Sequence, residues 1–448
     1  MVRAGKGRVK EPKKDSVEER VEVVLERPVH GGACLAHVKD GRTLFVRGGI
    51  PGETVEAVIA SSHKRFAWAD VTRVIEASVH RVPHIWPEAA EAGVGGVELG
   101  HVSPEYQREW KTQVLADQMR RIGGKEVVAQ IRAAYGEEEG DFPVRVQAAP
   151  GDASTSPTQD ALLGRRTRLQ LVADARGRLG MRKYRSHDVV PLTSLPIADP
   201  RIQELNVVDS EVWKKHWSPG ERISVEAPSA SPSVVVTSTG VFSAPGQSGP
   251  QRSVWEVAGE SGAHRFEVRP GGFWQTHREA PTVLAQAVVE GAQVGEGDVI
   301  LELYSGSGLF SRFLADHLGE TGKLLTLEGN IEAVRAAGEV LGDDIATKRV
   351  QIFQGSVDAA AVSELVGEAG GPVTTVVLDP PRRGAGKEVV QAICASSAQR
   401  VVVVSCDPAA GARDLADFLA GGFTVESMRA WDLFPHTHHF EVVTTLIR

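Results

Sequence analysis

The sequence has little of what holds small or exported proteins together. It contains three cysteines, Cys34, Cys394 and Cys406, and their spacing fits neither a disulfide framework nor a zinc site. No run approaches about 18 uncharged apolar residues, which argues against a membrane-spanning helix. The first residues are basic but lack the apolar stretch of a secretory signal. These absences make a reducing cytoplasm the simplest compartment.

A positive net charge is also missing. The formal net charge is -8, which by itself argues against a general nucleic-acid binder. Residues 1–14 nevertheless hold six basic side chains against Glu11 alone. We predict that residues 1–16 form a disordered tail, either a solvated segment that aids solubility or an arm that seeks phosphates.

The length of 448 residues predicts more than one domain. Residues 17–78 contain several short strands with glycine turns, including a hairpin at Asp40-Gly41, and this pattern suits a five-stranded OB-like barrel. Residues 79–270 begin with a helical pattern over 104–121 and then become rich in β-structure. Residues 271–448 alternate between strand and helix patterns and form the third predicted domain.

The barrel carries a segment that mixes basic and aromatic residues, from His63 to Trp68. Such a surface can hold phosphates and stack nucleobases. Alternatively, the rings of Phe66 and Trp68 point into the barrel, and we expect at least one of them to do so. RNA contact by this barrel is the favoured interpretation.

Residues 271–448 are predicted to form an α/β domain with a mostly parallel, doubly wound sheet that ends in an antiparallel hairpin. Helical patterns separate the first six strands, and only the turn DLFPHTHHF joins the last two. The predicted strands are Val299–Tyr304, Leu324–Glu328, Arg349–Phe353, Thr374–Asp379, Arg400–Ser405, Thr424–Trp431 and Val442–Ile447.

The first of these strands runs into a glycine turn, LELYSGSG, that opens a helix. Gly306 and Gly308 let a ligand approach the backbone closely, and Glu328 ends the next strand, where an acceptor for ribose hydroxyls belongs. Ser311 replaces the third glycine of a dinucleotide-binding motif, so the turn fits S-adenosylmethionine better than NAD. The alternative is an ordinary turn and a surface glutamate.

Two further strands end in residues that carry chemistry. The fourth ends in Asp379-Pro380-Pro381-Arg382, and the fifth is followed by Cys406. Ligands of open α/β sheets bind beyond the carboxyl ends of the strands, which favours a reactive role for Cys406 over that of an inert buried cysteine. We interpret Cys394 as a packing residue because it lies in the middle of a predicted helix.

The last strand brings a carboxylate to the same edge. If it lies antiparallel beside the fifth strand, Glu441 faces Cys406. His436, His438 and His439 precede it, but no acid or cysteine at ligand spacing supports them, and we predict no metal.

At these residues the sequence resembles the RNA 5-methyluridine (uracil-5) methyltransferases of tRNA and rRNA. The resemblance covers nearly the whole chain, and the early barrel looks like the family's TRAM domain through PGETVEAVI and the later HRV. The matching C-terminal stretches are Phe273 to His277, LELYSGSG, LTLEGN, VVLDPPRRG, VVSCDPAAGARDL and FPHTHHFEVV.

The resemblance implies a class I, Rossmann-like methyltransferase domain of seven strands with S-adenosylmethionine as methyl donor. Cys406 looks like the nucleophile that attacks C6 of uracil, and Glu441 like the base that removes the C5 proton. The attack implies a site that favours the thiolate. The residues that match positions holding or shaping the cofactor site are Gln275, Tyr304, Glu328, Ser356 and Asp379.

One departure from the family is clear. Many members hold a [4Fe–4S] cluster on a Cys-Gly-Gly-Cys run and two further cysteines, whereas this chain has Val94-Gly95-Gly96-Val97. The other two ligand positions fall near Glu88 and Leu195. Because these side chains cannot replace thiolates, we predict no cluster.

The resemblance makes rRNA or tRNA the expected partner. The lack of a long apolar run argues against a membrane partner, and nothing in the sequence calls for more than a monomer. Two alternatives are a non-catalytic protein of this fold that binds S-adenosylmethionine and RNA, and a cytosine-5 RNA methyltransferase. The second commonly uses two cysteines in its site, and only Cys406 lies at a strand end.

Overall fold

The computed structural model describes residues 19–39, 41–137, 139–153, 162–184, 186–260 and 262–448. The predicted basic tail over residues 1–16 and Asp40 of the predicted hairpin turn lie outside this part of the chain.

The chain divides into two compact units, Met1–Arg81 and Val82–Arg448. The first ends close to the predicted end of the OB-like barrel. The second holds both the β-rich middle segment and the α/β segment, so the predicted domain boundary near residue 270 stays a prediction.

The first unit is a six-stranded sheet in the order β1-β5-β6-β4-β3-β2, one strand more than the five predicted. The predicted hairpin is present as β3 and β4, with Cys34 opposite Val46. All pairs are antiparallel except β4 with β6. The strands are β1 (Arg20–Val24), β2 (Arg27–Val29), β3 (Ala33–His37), β4 (Thr43–Arg47), β5 (Thr54–Ser62) and β6 (Phe66–Glu76).

The aromatic residues of β4 and β6 lie on the outer face of this sheet. Ala67 and Ala69 are fully buried, whereas the alternate residues Phe66 and Trp68 are half-exposed. The expectation that at least one ring points inward is therefore wrong, because small alanines occupy the inward positions. The Phe45 ring joins the cluster, 5.5 Å from the Phe66 ring and 5.1 Å from the Trp68 ring between centroids.

The second unit begins with three helices. These are α1 (Pro87–Ala92), α2 (Pro104–Gln118) and α3 (Gly124–Ala134), and a π-helical turn, Met119–Gly123, joins the last two. The helix predicted over 104–121 is therefore present. A short strand β7 (Val146–Ala148) and helix α4 (Pro150–Ala153) follow.

A seven-stranded antiparallel sheet comes next, in the order β10-β9-β8-β11-β12-β13-β14. The predicted hairpin around Gly177 and Gly180 is formed by β8 and β9. The strands are β8 (Arg168–Ala173), β9 (Leu179–Arg182), β10 (Val189–Pro191), β11 (Arg222–Glu226), β12 (Val234–Thr237), β13 (Gly240–Ala244) and β14 (Gln247–Ser248). Helix α5 (Pro200–Gln203), a 3₁₀ turn (Lys214–His216) and the hairpin β15 (Ser253–Gly259) with β16 (Gly262–Val268) complete this region.

Three of the four positions that correspond to cluster ligands in the family the sequence resembles lie in an apolar core. Val94, Val97 and Leu195 are buried in one hydrophobic cluster with residues of β8 and β11. Glu88 is tied to the neighbouring loop, because its Oε1 accepts a hydrogen bond from the Thr193 amide at 2.7 Å. These residues do not fit a cluster: they offer no thiolate, and apolar side chains fill the space.

Replacing Leu195 with alanine is expected to cost about 2–5 kcal/mol of unfolding free energy, because it leaves a cavity where the side chain is 4% exposed. Chemical denaturation would measure the loss. Val212→Ala serves as the control because Val212 is 58% exposed, and its unfolding curve should match the wild type. Equal stability of the Leu195 variant would contradict a packing role at this position.

The α/β segment forms an eight-stranded sheet in the order β19-β18-β17-β20-β21-β23-β22-β7. All seven predicted strands are present, and β23 lies antiparallel between β21 and β22. The strands are β17 (Val299–Leu303), β18 (Lys323–Glu328), β19 (Val350–Gln354), β20 (Thr375–Leu378), β21 (Arg400–Ser405), β22 (Thr424–Asp432) and β23 (Glu441–Ile447). The helices are α6 (Ala280–Ala292), α7 (Leu309–Ala315), α8 (Ile331–Val340), α9 (Gly342–Ala346), α10 (Ala359–Glu368), α11 (Lys387–Ala395) and α12 (Pro408–Ala420).

The eighth strand, β7, was not predicted as part of this sheet. It pairs in parallel with β22 and comes from residues 146–148, far from the other strands in sequence. Three residues are too few to show a periodicity, so only the folded chain reveals this pairing.

The sheet places a ligand site at the strand where its order reverses. β17 lies between β18 and β20, so the connections after β17 and β20 leave in opposite directions and open a crevice at the carboxyl ends. The central strands are buried on both faces, as their valine and leucine runs require. Among the described residues, no helix is long and apolar enough to cross a membrane.

Candidate active site

A cavity of about 690 Å³ opens at the carboxyl edge of the eight-stranded sheet. Its walls come from the segment before α6, the β17–α7 turn, the ends of β18, β20 and β21, and the start of β23. Six of the seven residues proposed from the sequence line this cavity: Gln275, Tyr304, Glu328, Asp379, Cys406 and Glu441.

The seventh residue, Ser356, does not line the cavity. It follows β19, the edge strand, and is exposed. Its segment runs beside Glu328, because the amide of the preceding Gly355 donates a hydrogen bond to the Glu328 carbonyl at 3.0 Å. Its role in binding the cofactor stays a prediction.

One end of the cavity is built by the glycine turn between β17 and α7. Gly306 has a φ of 55°, and a side chain at this position would project into open space at the cavity. Its amide donates a hydrogen bond to Glu328 Oε2 at 3.0 Å, and the Asn330 amide donates to Glu328 Oε1 at 2.7 Å. Both carboxylate oxygens are therefore fixed in direction, with lone pairs left for a ligand.

Two neighbouring residues of this turn have features that are common in binding sites. Tyr304 has a φ of 61°, a left-handed conformation that costs a residue with a side chain about 1–2 kcal/mol. The Ser305 hydroxyl is buried and has no hydrogen-bond partner within the described part of the chain. Strain and an unpartnered polar group at one cavity wall are typical of a binding site.

A buried glutamate, Glu302, lies in β17 just before the turn. Glu302 is fully enclosed, and Ser311 donates a hydrogen bond to its Oε2 at 2.5 Å. Burial, with smaller contributions from Asp379 and Glu328, raises the pKa of Glu302 to about 8, so the group is neutral at pH 7. Ser311, which replaces the third glycine of the dinucleotide-binding motif, therefore has a hydrogen-bond partner in Glu302.

The opposite end of the cavity holds the thiol. Cys406 follows β21 directly, and the β21–β23 register pairs Ser405 with Val442, which sets Cys406 opposite Glu441. This arrangement agrees with the sequence analysis. Asp407 then caps helix α12 by accepting hydrogen bonds from the amides of Ala409 and Ala410 at 3.0 and 2.9 Å.

Burial controls the protonation of this end. It raises the pKa of the Cys406 thiol to about 12, with further increases from Glu441 and Asp379 and an opposing effect of Arg382. Burial raises the pKa of Asp379 to about 7. These surroundings favour the protonated thiol, contrary to the expectation of a site that favours the thiolate, and a base must take the proton when the sulfur reacts.

The carboxyl of Glu441 is the most enclosed of these groups. Burial raises its pKa well above the ordinary value, Asp379 raises it further, and Arg382 lowers it. Its Oε2 atom has no hydrogen-bond partner in the described structure, although Glu441 lies on the cavity wall. A buried carboxyl with a raised pKa and an unpartnered oxygen on a cavity wall has the properties of a group that transfers protons in acid–base catalysis.

Comparison with known proteins bears on these features. Residues 255–448 match the model of the tRNA (Uracil-5-)-methyltransferase family, and residues 15–72 match that of the TRAM domain. An uncharacterized RNA methyltransferase of Streptomyces avermitilis is 36% identical over 452 residues, covering 96% of this chain and 98% of the relative. The chain belongs to the RNA 5-methyluridine methyltransferase family. Its members are S-adenosylmethionine-dependent RNA methyltransferases.

Two further comparisons agree with this membership. An uncharacterized RNA methyltransferase of Bifidobacterium longum is 33% identical over 96% of this chain and 97% of its own length. The crystal structure of Pyrococcus abyssi tRNA (uracil-54, C5)-methyltransferase in complex with S-adenosyl-L-homocysteine is 19% identical. It superposes with a TM-score of 0.61 over 95% of this chain and all of that one, which shows a shared fold.

The sequence analysis named Arg382 only as part of the motif that ends the fourth strand, whereas the fold places it on the wall of the cavity. Its Nη2 atom lies 3.3 Å from His439 Nε2. The loop that carries Arg382 is held by buried Asp414, which accepts hydrogen bonds from the amides of Ala385 and Gly386 at 2.7 and 3.2 Å.

Glu98 also went unnoticed in the sequence. The fold brings a carboxylate oxygen of Glu98 within 4.8 Å of ring nitrogens of His438 and His439. The sequence analysis argued against a metal because no acid lies near these histidines in sequence, but in the folded chain Glu98 lies beside them. The Arg382 guanidinium beside His439 disfavours a cation here, and burial, with His438 and Arg382, lowers the pKa of His439 to about 3. We therefore interpret these groups as a chain of hydrogen-bonded and stacked side chains.

Proposed function

We propose that this protein is an RNA (uracil-C5)-methyltransferase that forms 5-methyluridine in rRNA or tRNA. The observation that supports this proposal most strongly is one cavity that joins three features. These are the thiol of Cys406, the unpartnered carboxyl of Glu441 and a glycine turn with a fixed carboxylate acceptor, Glu328. Membership of the family agrees with this reading.

The chemistry of uracil explains why a thiol and a carboxylate are needed. Carbon C5 is a poor nucleophile until the Cys406 sulfur adds to C6, which makes an enolate with electron density at C5. The thiol proton passes to a carboxylate of the cavity, and Asp379, with a pKa of about 7, is suited to accept it. S-adenosylmethionine, when bound, supplies the electrophilic methyl group for C5.

Glu441 completes the cycle. Its carboxylate removes the proton from C5, the electron pair of the C5–H bond forms the C5=C6 double bond, and the sulfur–C6 bond breaks. Cys406 leaves as a thiolate and recovers a proton. Arg382 is the cation on the wall that opposes the carboxyls, and it favours the negative sulfur at both ends of the cycle.

The cavity residues fit the methyl donor. The two oriented oxygens of Glu328 suit ribose hydroxyls, the open space above Gly306 suits the amino-acid portion, and Tyr304 and Gln275 form adjacent walls. The unpartnered hydroxyl of Ser305 provides one more polar group for a ligand.

Replacing Glu328 with glutamine is expected to weaken S-adenosylmethionine binding about 10- to 100-fold. The amide cannot accept hydrogen bonds with both terminal atoms, and a lost charged hydrogen bond costs about 1.5–3 kcal/mol. Isothermal titration calorimetry would measure the dissociation constant. Glu339→Gln is the control because Glu339 pairs with Arg252 on the surface, and an equal loss in both variants would contradict the assigned role.

RNA must present a flipped base to this cavity, at a cost of about a few kcal/mol. The Phe273 side chain is 69% exposed on the cavity wall and can stack on a base that leaves its helix. The outward Phe45, Phe66 and Trp68 rings of the first unit form a second surface suited to stacking. A monomeric state and a cytoplasmic location are further proposals that rest on the sequence alone.

The test uses purified protein, methyl-labelled S-adenosylmethionine, and unmodified tRNA and rRNA in separate reactions. Nucleoside digestion identifies the product, and label in 5-methyluridine is the expected result. Label in 5-methylcytidine would favour the cytosine-5 alternative. That alternative commonly uses two cysteines in its site, whereas Cys394 lies in α11 and does not line the cavity. No label in either RNA, despite measurable cofactor binding, would favour the non-catalytic alternative.

A further inference from the structure

The loop between β22 and β23 forms one wall of the candidate active site. The two strands end and begin at Asp432 and Glu441, so eight residues connect them. Phe434 and His439 of this loop line the cavity together with Glu441. A loop that carries two wall residues must hold one conformation if the wall is to have a fixed shape.

A fully buried lysine of α2 holds the start of this loop. Lys111 Nζ lies 2.5 Å from Asp432 Oδ1 and donates a hydrogen bond to the Phe434 carbonyl at 3.1 Å. Asp432 Oδ1 also accepts a hydrogen bond from the Phe434 amide at 3.2 Å. The backbone on both sides of Phe434 is therefore tied to one ion pair.

Buried Gln107, one helical turn earlier, holds the middle of the loop. Its Oε1 accepts a hydrogen bond from the His436 amide at 2.7 Å, and its Nε2 lies 3.1 Å from His436 Nδ1. The same Nε2 donates to the Val102 carbonyl at 2.8 Å. These bonds hold His436 in a left-handed conformation, with a φ of 67°.

Glu98 holds the end of the loop. It accepts hydrogen bonds from the backbone amide of His438, at 3.3 Å, and from the ring nitrogen Nδ1 of the same residue. The His438 ring packs 3.9 Å from the ring of His439 between centroids, and His439 Nε2 contacts Arg382. A continuous series of contacts therefore leads from Glu98 through His438 and His439 to Arg382, which lines the same cavity as Cys406.

We propose that Glu98, Gln107 and Lys111 are positioning residues for the reaction. They fix the 433–440 loop and thereby the cavity wall formed by Phe434, His439 and Arg382. This inference rests on the proposed function. Apolar side chains of similar volume can replace a buried ion pair without loss of stability, but they cannot direct a backbone amide or carbonyl. Direction of the loop is thus what the three polar groups contribute.

The first test compares Gln107→Leu with Gln113→Leu, a matched control whose side chain donates a hydrogen bond to Glu109 of the same helix. The expected result for Gln107→Leu is a fall in kcat/KM for RNA of at least about tenfold, which corresponds to about 1.4 kcal/mol. Binding of S-adenosylmethionine, measured by calorimetry, should change less than about twofold because β17 and β18 hold that end of the cavity. The control should match the wild type in both measurements.

The second test separates positioning from stability. The double variant Lys111→Met with Asp432→Leu replaces the ion pair by apolar packing, and we expect its thermal midpoint to stay within a few degrees of the wild type. Its kcat/KM should still fall at least about tenfold. A double variant that is both stable and fully active would overturn the proposal.

A third readout does not depend on RNA. The rate of Cys406 alkylation by iodoacetamide, followed by peptide mass spectrometry, reports the fraction of thiolate. We expect it to fall several-fold in Gln107→Leu, because a displaced Arg382 stabilises the thiolate less, and to stay unchanged in Gln113→Leu. Equal rates in both would overturn the inference. If the wild type formed no 5-methyluridine while the alkylation rates still differed, the proposed function would fail and the positioning role would stand.

Discussion

Methyl transfer to RNA falls at least about 1,000-fold when Cys406 is replaced by alanine, if the thiol adds to C6 as proposed. Without the sulfur, C5 of uracil stays a poor nucleophile, and the remaining residues of the cavity cannot supply the missing electron density. Incorporation of labelled methyl groups into RNA measures the rate. Calorimetry should show S-adenosylmethionine binding within about twofold of the wild type, because the glycine turn lies at the other end of the cavity.

Cys394→Ala is the matched control for this experiment. Cys394 lies in α11 and packs against Gly421, where a side chain in place of the glycine hydrogen would come within 2.2 Å of its sulfur. Burial raises the pKa of Cys394 as well as that of Cys406, so a raised pKa does not distinguish the two thiols. Their positions do, because Cys406 lines the cavity and Cys394 does not. Full activity of Cys406→Ala, or an equal loss in Cys394→Ala, would overturn the assignment of the nucleophile.

The second large effect concerns Glu441. Replacing it with glutamine is expected to lower turnover by about 10²–10⁴-fold and to trap methylated RNA on the protein. The amide cannot remove the C5 proton, so the sulfur–C6 bond formed by Cys406 does not break. A denaturing gel with labelled RNA should show an adduct that survives denaturation, and the double variant with Cys406→Ala should show none.

The pH dependence adds a check on the same residue. A general base works only when it is deprotonated, and burial raises the pKa of Glu441 well above the ordinary carboxyl value. The kcat/KM of the wild type should therefore rise with pH over a range well above pH 4.5, and Asp379, with a pKa of about 7, contributes to the same rise.

Glu290→Gln is the control, since Glu290 pairs with Arg429 at the surface and should leave the rate and its pH profile unchanged. A Glu441→Gln protein that turns over normally without an adduct would show that another group removes the proton.

The strands of the α/β segment were predictable from the sequence because each is short, apolar and bounded by turn residues. The valine run before Cys406 coincides with β21 from Arg400 to Ser405. The order of strands and helices then follows from general rules for parallel sheets, and with it the edge at which Cys406, Asp379 and Glu328 meet. The inward direction expected for an aromatic ring of the barrel was wrong, since that choice depends on which residues fill the core.

The supporting groups of the site could not be predicted in this way. Gln107 and Lys111 lie in a segment whose pattern indicates only a helix, and Glu98 lies in the turn before it. The partners of all three residues lie more than 300 positions away in the sequence. The short strand β7 was not predicted either, because three residues are too few to show a periodicity.

The sequence by itself determined which chemistry is expected of this protein. Reactive residue types stand at strand ends in the order of a known family, and the absence of cysteine at four positions determined that no iron–sulfur cluster is expected. Only the tertiary structure decided how that chemistry is held in place: which carboxyls are buried enough to keep their protons, which cation faces the thiol, and which helix fixes the loop before Glu441. Burial and long-range hydrogen bonds depend on the distances between segments that are remote in sequence, and local patterns do not contain those distances.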